Sequence, residues 1–484
     1  MKKKDFLILF LILLTAVIFR LYKINIPLAD LHSWRQADTA AVARNFVKNG
    51  FDLLHPRFDD LSPNQSAAGL ENPEGYRMVE FPLYNAIFAL LYKNFSQLSL
   101  EIWGRLTSIF FSLIIIALIY YFVLKETNSR IGAITSSLVY AIFPFFVFFS
   151  RVILPETTAL SFVFISIFFL YQTLDKPINR FTEFIFYFFS IVFFSLSILI
   201  KPTVIFYILV LLSIFYLKYK IKFLKNISFY LYFLFSFLPF FLWRWHITKF
   251  PQGIPPSDWL ITSVNTYQGL KNIFFKPAFF RWIFFERINN LIFGGYLTFF
   301  FLLGVFGKLK KKLLYSFLVA AFLYLFTFQG GNVQHEYYQT VILPPLAIFV
   351  GLGVNCLSNY KKTFISPFLT YPLAFFVFIL SFFFSFYKVK DFYHYPPELP
   401  QIAKIINSLT LPDDKIITDR MGDTTLLYLA ERRGAPSIYK DPDELKKIGY
   451  KYLITLNPEE IKKIKAEKNY QIVFENNQLA IFKL

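Results

Sequence analysis

Residues 27–46 read PLADLHSWRQADTAAVARNF and gather Asp30, His32, Trp34, Arg35, Gln36, Asp38 and Arg44 beside sequence made almost wholly of Leu, Ile and Phe. A carboxylate such as Asp30 or Asp38 can take a proton from an attacking hydroxyl. The Arg35 guanidinium matches two phosphate oxygens at once, or pairs with lipid head groups. His32 and Gln36 add groups for phosphate or sugar contacts, with a structural hydrogen bond the equal alternative for His32. Four further polar blocks follow: Glu80 and Tyr84 in EFPLY, Arg151 and Glu156 in SRVILPE, Lys201 in KPT, and His335, Tyr337, Tyr338 and Gln339 in HEYYQ. Lys201 offers a point charge to a lipid phosphate, or snorkels to the head groups. His and Tyr donors suit phosphate or sugar hydroxyls, and an aromatic face suits sugar C–H groups; Tyr338 also fits an interfacial belt. The plain alternatives are an N-cap role for Asp38, a turn residue for Asp30, a helix-start acid for Glu80, an interface aromatic for Trp34 and Tyr84, and a mutual Arg151–Glu156 pair.

The elements that must carry these residues lie in a membrane. The chain has 484 residues, is 56% hydrophobic and 21% aromatic, and contains 66 Phe. Its mean hydropathy is +0.49. A soluble domain of this length has too much surface to cover for that balance. The net charge of +19 comes from Lys and Arg in short loops between apolar runs, the pattern of cytoplasmic loops and not of a nucleic-acid binder. Cys356 is the single cysteine, so the chain has no intrachain disulfide and no cysteine metal site. The first 22 residues lack a small-x-small cleavage site and read as a retained first span.

About eleven apolar runs are long enough to cross, near residues 5–23, 102–124, 131–149, 157–174, 182–199, 203–219, 227–245, 288–307, 313–329, 339–357 and 366–387. With the N-terminus inside, the cytoplasmic segments are Lys2–Lys4, KETNSR (125–130), DKPINR (175–180), KYKIKFLK (218–225), KLKKK (308–312) and NYKK (359–362), each with at least two basic residues. An odd count places the C-terminus outside. The polar blocks then all fall on the outer side. Charges at that depth face a cavity or each other, which argues for an outward-facing site.

The first outer loop, about 24–101, has helical spacing over 38–49, with Gly50 as a stop. A second interfacial helix runs over 82–95, opened by Pro82. QGG before HEYYQ reads as a flexible loop. From about 391 charge rises and Phe thins. A helix at PELPQIAKIINSL, a strand at KIITD (415–419) and a helix over 423–434 ending at glycine begin an alternation that continues to the end. The fold class is therefore a polytopic α-helical membrane protein, residues 1–390, with a small extracytoplasmic α/β domain over 391–484.

HSWRQADTAAVARNF (32–46), EFPLY (80–84), SRVILPE (150–156), KPT (201–203) and HEYYQ with LPP (335–345) occur in an order that resembles the GT-C superfamily. Within it the chain resembles the bacterial branch related to protein O-mannosyltransferases and the lipid A aminoarabinose transferase. The resemblance implies a glycosyltransferase of the cytoplasmic membrane that moves a hexosyl or pentosyl unit from a polyprenyl-phosphate donor to a lipid, glycan or protein acceptor outside, normally with inversion. It implies Asp30 as base or acceptor-orienting carboxylate, with Asp38 its rival. Glu80 matches a position where the family keeps a charged residue, sometimes linked to metal, so Asp30 and Glu80 are where a divalent cation would be held; no close metal-ligand spacing accompanies them. Glu156 stands where the family often has Asp. The competing reading is a transporter or flippase, which calls for midplane charges, broken helices and an internal repeat. The charges here sit at the outer ends of the spans, and no repeat is visible.

Overall fold

The computed structural model describes residues 2–174, 178–261, 277–307, 312–358 and 367–484. DKPINR, KLKKK and NYKK lie wholly or in part outside the described residues. The chain forms two compact units. One comprises 1–24, 105–243 and 258–392; the other comprises 25–104, 244–257 and 393–484.

The first unit is helical and apolar. Among the described residues six helices are long and apolar enough to cross a membrane, or seven with one bent pair taken as a span. The apolar runs read from the sequence recur as Lys3–Arg20, Leu100–Thr127, Glu156–Gln172, Arg180–Ile200, Ile227–Ile247, Leu313–Thr327 and Pro367–Val389. Four runs depart from a plain helix, one of them 339–357, which opens as a 3-10 helix over Glu336–Ile342 before Leu343–Ser358. Residues 131–149 break into Arg130–Ile142 and Pro144–Phe149 at a proline, which cannot continue the first helix. The 288–307 run is two helices bent by 118°, with Gly294 and Gly295 at positive φ between them. Residues 203–219 open as a 3-10 turn, Pro202–Tyr207, before Ile208–Tyr219.

Three buried arginines tie down the end of the first helix, where carbonyls lack intrahelical partners. Arg20 donates to the carbonyls of Ala141 (2.7 Å) and Tyr140 (2.9 Å) and to Ser150 Oγ (2.9 Å). Arg151 donates to the carbonyls of Tyr22 and Lys23, both at 2.8 Å. Arg105 donates to the Ile24 carbonyl at 2.6 Å. Elsewhere two helices, Leu297–Phe306 and Leu343–Ser358, touch backbone to backbone. A Cβ on Gly304 would meet the Phe349 carbonyl, and one on Gly353 the Phe300 carbonyl. Small residues at such crossings let apolar helices gain contact where lipid offers no hydrophobic drive.

The second unit joins the 25–104 loop to the C-terminal tail. The loop holds the helices Ser33–Asn49 and Leu83–Asn94. The tail is a five-stranded sheet of β1 (Lys415–Thr418), β2 (Gly434–Ala435), β3 (Tyr450–Thr455), β4 (Gln471–Glu475) and β5 (Ala480–Lys483), in the order β2-β1-β3-β5-β4. β1 pairs parallel with β2 and β3, and β5 pairs antiparallel with β3 and β4. Apolar residues from Glu398–Leu409 and Thr425–Leu429, among them Ile402, Ile406 and Leu426, cover one face of the sheet. Leu445 and Ile464 cover the other. The helix expected over 423–434 is shorter, and Gly434 is not its stop. Gly434 begins β2, where a Cβ would collide with the Ile416 carbonyl.

Gly304→Ala and Gly353→Ala each lower the unfolding temperature of the purified chain, at a cost of about 1–3 kcal/mol from overpacking. The double variant costs less than the sum, since either change already opens the same crossing. Thermal unfolding in detergent measures both; additive losses count against a shared crossing.

Candidate functional site

The Ser33–Asn49 helix carries the first cluster. Its N-cap is His32, at φ 57° in the left-handed region. Polar His tolerates this better than most side chains. The helix starts five residues before the expected 38–49 stretch, so Asp38 lies inside it and is not its cap. Eleven of its seventeen residues are buried, Arg35, Gln36 and Asp38 among them. Buried polar groups must find partners, and these do. Gln36 Nε2 donates to Asp30 Oδ1 at 2.8 Å and to the Leu31 carbonyl at 3.0 Å. Arg35 Nη2 meets Glu80 Oε1 at 2.5 Å. Asp38 is only 1% exposed, with Thr424 Oγ1 on one carboxylate oxygen (2.7 Å) and Arg77 Nη2 on the other (2.9 Å). Asp30, His32, Arg35, Gln36, Asp38 and Glu80 therefore share one unit. Tyr84 is in that unit too, but it is fully buried, with its hydroxyl on the Gly104 carbonyl at 2.9 Å.

The sequence reading missed the charges around this cluster. Arg44 pairs with Asp59, Arg77 with Asp38, and Asp60 is fully buried beside Ser62. Burial pushes the Asp59 carboxyl above the ordinary range, opposed by the nearby Arg44 guanidinium. Burial also raises Asp60, to about 7, against the Ser62 hydrogen bonds that favour its charged form. No periodicity announces residues 52–78, which form a loop whose polar groups are satisfied only by tertiary contacts. At the C-terminal end of the helix a pocket of about 170 Å³ is lined by Asn45, Phe46, Asn49, Asp52, His55 and Arg57. There Asp52 accepts from His55 Nδ1 at 2.8 Å.

The second cluster belongs to the apolar unit. Glu156 opens the Glu156–Gln172 helix, and Lys201 follows the Arg180–Ile200 helix. Lys201 Nζ lies 2.7 Å from Glu156 Oε1. It also sits 5.7 Å over the Tyr338 ring. Both partners are buried, so Lys201 does not snorkel. The Arg151–Glu156 pair does not form: Arg151 is spent on the carbonyls of Tyr22 and Lys23, and Glu156 takes Lys201. His335 stacks on Tyr337 (5.4 Å between ring centres), and Tyr337 lies 4.6 Å from Tyr338. Trp259 meets His335 and Tyr338 edge-on. Gln339 Nε2 donates to the Asn332 carbonyl at 2.7 Å. QGG is not a loop: it opens a short helix, Gln329–Gln334. Arg287 pairs with Glu336, a contact the sequence did not suggest.

Among the described residues no group of three or more His, Cys, Asp or Glu is placed to hold a metal ion. Glu80 carries the Arg35 guanidinium.

The sequence matches the family model described as dolichyl-phosphate-mannose-protein mannosyltransferase over residues 80–245. Comparison with curated protein sequences finds no match. Among solved structures the chain is similar to ArnT from Cupriavidus metallidurans, with a TM-score of 0.66 and 12% identity over 98% of this chain and 97% of that one. It is also similar to the Archaeoglobus fulgidus oligosaccharyltransferase, with a TM-score of 0.59 and 11% identity over 93% of this chain and 69% of that one. Identities this low establish the likeness of fold.

Lys201→Met leaves Glu156 buried without its cation and destabilises the chain by about 3–5 kcal/mol, while Lys201→Met with Glu156→Gln recovers most of the loss. Unfolding of both variants decides it; equal instability shows the pair is not the cause. A second expectation concerns pH. The folded state keeps a proton on Asp60 up to about 7, where the unfolded chain has already released it. Stability therefore falls as pH rises from the ordinary carboxylate range to about 7, then levels. Asp60→Asn flattens that part of the unfolding profile; an unchanged slope assigns the titration elsewhere.

Proposed function

We propose that this chain, which has the GT-C glycosyltransferase fold, moves a sugar from a polyprenyl-phosphate donor to an acceptor on the outer face of the cytoplasmic membrane. The N-terminus lies inside and the C-terminal domain outside. Such a transfer needs a base for the acceptor hydroxyl and positive charge for the departing lipid phosphate. Asp30 is the base or acceptor-orienting carboxylate. Attack on the anomeric carbon breaks its bond to the phosphate oxygen, inverts the centre and releases polyprenyl phosphate, while the acceptor proton passes to Asp30.

The observation that carries this reading is the pair of couplings in one buried segment, Gln36 on Asp30 and Arg35 on Glu80. The first orients a carboxylate through a neutral amide, and the second presents a guanidinium able to bind phosphate oxygens in bidentate fashion. Asp38 is the weaker choice, because both of its oxygens are engaged by Arg77 and Thr424. His32 and Glu80 contribute to substrate contacts around this cluster. In the apolar unit Lys201, His335, Tyr337 and Tyr338 supply the cation and ring donors suited to a lipid phosphate. The similar proteins support the substrate class: ArnT was solved bound to undecaprenyl phosphate, and the Archaeoglobus fulgidus oligosaccharyltransferase with dolichol-phosphate and an inhibitory peptide.

Analysis of lipid-linked sugars and envelope glycans in a deletion strain identifies donor and acceptor, and complementation then tests the residues. Asp30→Asn lowers transfer about 10²–10⁴-fold, the usual contribution of a general base. Arg35→Met lowers it with a rise in KM for the donor. Asp38→Asn acts mainly through stability. Full transfer by the Asp30 variant overturns the assignment.

A further inference from the structure

The C-terminal domain contributes side chains to the very helix that carries the candidate site. Thr424 Oγ1 lies 2.7 Å from Asp38 Oδ1 and 3.2 Å from the Trp34 carbonyl. Thr425 Oγ1 donates to Ser33 Oγ at 2.9 Å. Further along, Arg44 Nη1 donates to the Tyr428 carbonyl at 2.6 Å, and its guanidinium lies 4.3 Å over the Tyr428 ring. The Tyr428 hydroxyl reaches Glu101 Oε1 at 2.6 Å, and Lys48 pairs with Glu431 at 3.1 Å. Each contact joins residues more than 300 positions apart in sequence.

The contacts of Ser33, Arg44 and Lys48 follow one side of the helix, while Asp38 lies off that side, about 60° around the wheel from Arg35. Ser33, Arg44 and Lys48 fall within about 60° of one another on a helical wheel, and Arg35 lies about 180° from Arg44. The domain thus grips one side and leaves another to the Arg35–Glu80 pair. Backbone pairing seals the same junction. Gly434 donates to the Asp59 carbonyl (2.9 Å), and Leu61 donates to the Gly434 carbonyl (2.7 Å). Thr424 differs from the other contacts in reaching Asp38, the one carboxylate of the helix, one turn beyond Arg35 and Gln36. Asp38 holds Arg77 on its other oxygen, so the hydroxyl and the guanidinium fix its carboxylate from two sides.

We propose that the C-terminal domain is a working part of the site, with Thr424 a positioning residue that fixes the rotation of the Ser33–Asn49 helix through Asp38 and so the placement of Arg35 and Gln36. Its link to lipid-phosphate binding rests on the function proposed above; the structural coupling does not. Removing the hydroxyl leaves a buried carboxylate oxygen short of a donor, which frees the helix to turn.

The test uses the full chain in lipid nanodiscs with undecaprenyl phosphate as the probe. Thr424→Val raises amide exchange over residues 33–38 and weakens lipid-phosphate binding about tenfold, with exchange in the 415–483 sheet unchanged. Thr424→Ser restores both. Wild-type exchange and binding in Thr424→Val overturn the proposal. Faster exchange with unchanged binding also overturns it, since Thr424 is then structural only. Failure of the wild-type chain to bind undecaprenyl phosphate at all defeats the transferase reading instead, and the exchange comparison with its Thr424→Ser rescue then judges the coupling alone. Should Thr424→Val fail to fold, Thr424→Ala, which removes the same hydroxyl with less bulk, is read by the same exchange and binding measurements, and wild-type values in it overturn the proposal.

Discussion

A polar helix buried along most of its length imposes the main constraint on this protein. Between Arg35 and Phe46 only Arg44 keeps appreciable exposure. An unpaired charge there costs several kcal/mol, so every ionised group needs a partner fixed in space. Arg35 takes Glu80, Asp38 takes Arg77 and Thr424, and Arg44 takes Asp59 and the Tyr428 carbonyl. The partners come from two other segments. The loop over 52–80 and the C-terminal domain are thereby committed to one arrangement around the helix, and Gln36 can hold Asp30 because that arrangement is fixed.

The apolar unit solves a different problem with different means. Its helices have little polar surface to pair, and their specificity comes from shape: the Gly304–Gly353 crossing, interlocked Phe rings and a proline break at Pro144. Its few buried charges act as local ties. Arg20, Arg105 and Arg151 satisfy carbonyls around the end of the first helix and in the turns packed on it. Lys201 and Glu156 join the ends of neighbouring helices. Burial of that ion pair over an aromatic ring is costly to maintain, and such pairs commonly mark functional positions.

Elements whose stability is local were legible in the sequence. The apolar runs gave the helices within a few residues, the proline before Leu83 marked the second loop helix, and KIITD in the tail marked the first strand, Lys415–Thr418. Misreadings fell where a distant group intervenes. Asp38 resembles an N-cap by type and spacing, but His32 accepts a strained left-handed conformation and starts the helix earlier. Arg151 and Glu156 look like a pair across a short turn, yet unsatisfied carbonyls more than 120 positions away claim the arginine. Gly434 looks like a helix stop, and is instead a strand residue pressed against Ile416.

Composition and hydrophobic pattern therefore determined by themselves that this is a multi-pass membrane protein with a small α/β tail, since among the described residues six helices are each long and apolar enough to declare themselves without reference to the others. The stretch from Asp30 to Gln36 was singled out for the same reason, as polar groups have no local cause to gather in an apolar chain. Which partner each of those groups takes was decided only by tertiary structure. Partner choice depends on distances between segments hundreds of residues apart, and no local spacing encodes them. The tail was legible as a domain, but not as the source of the threonine that holds Asp38.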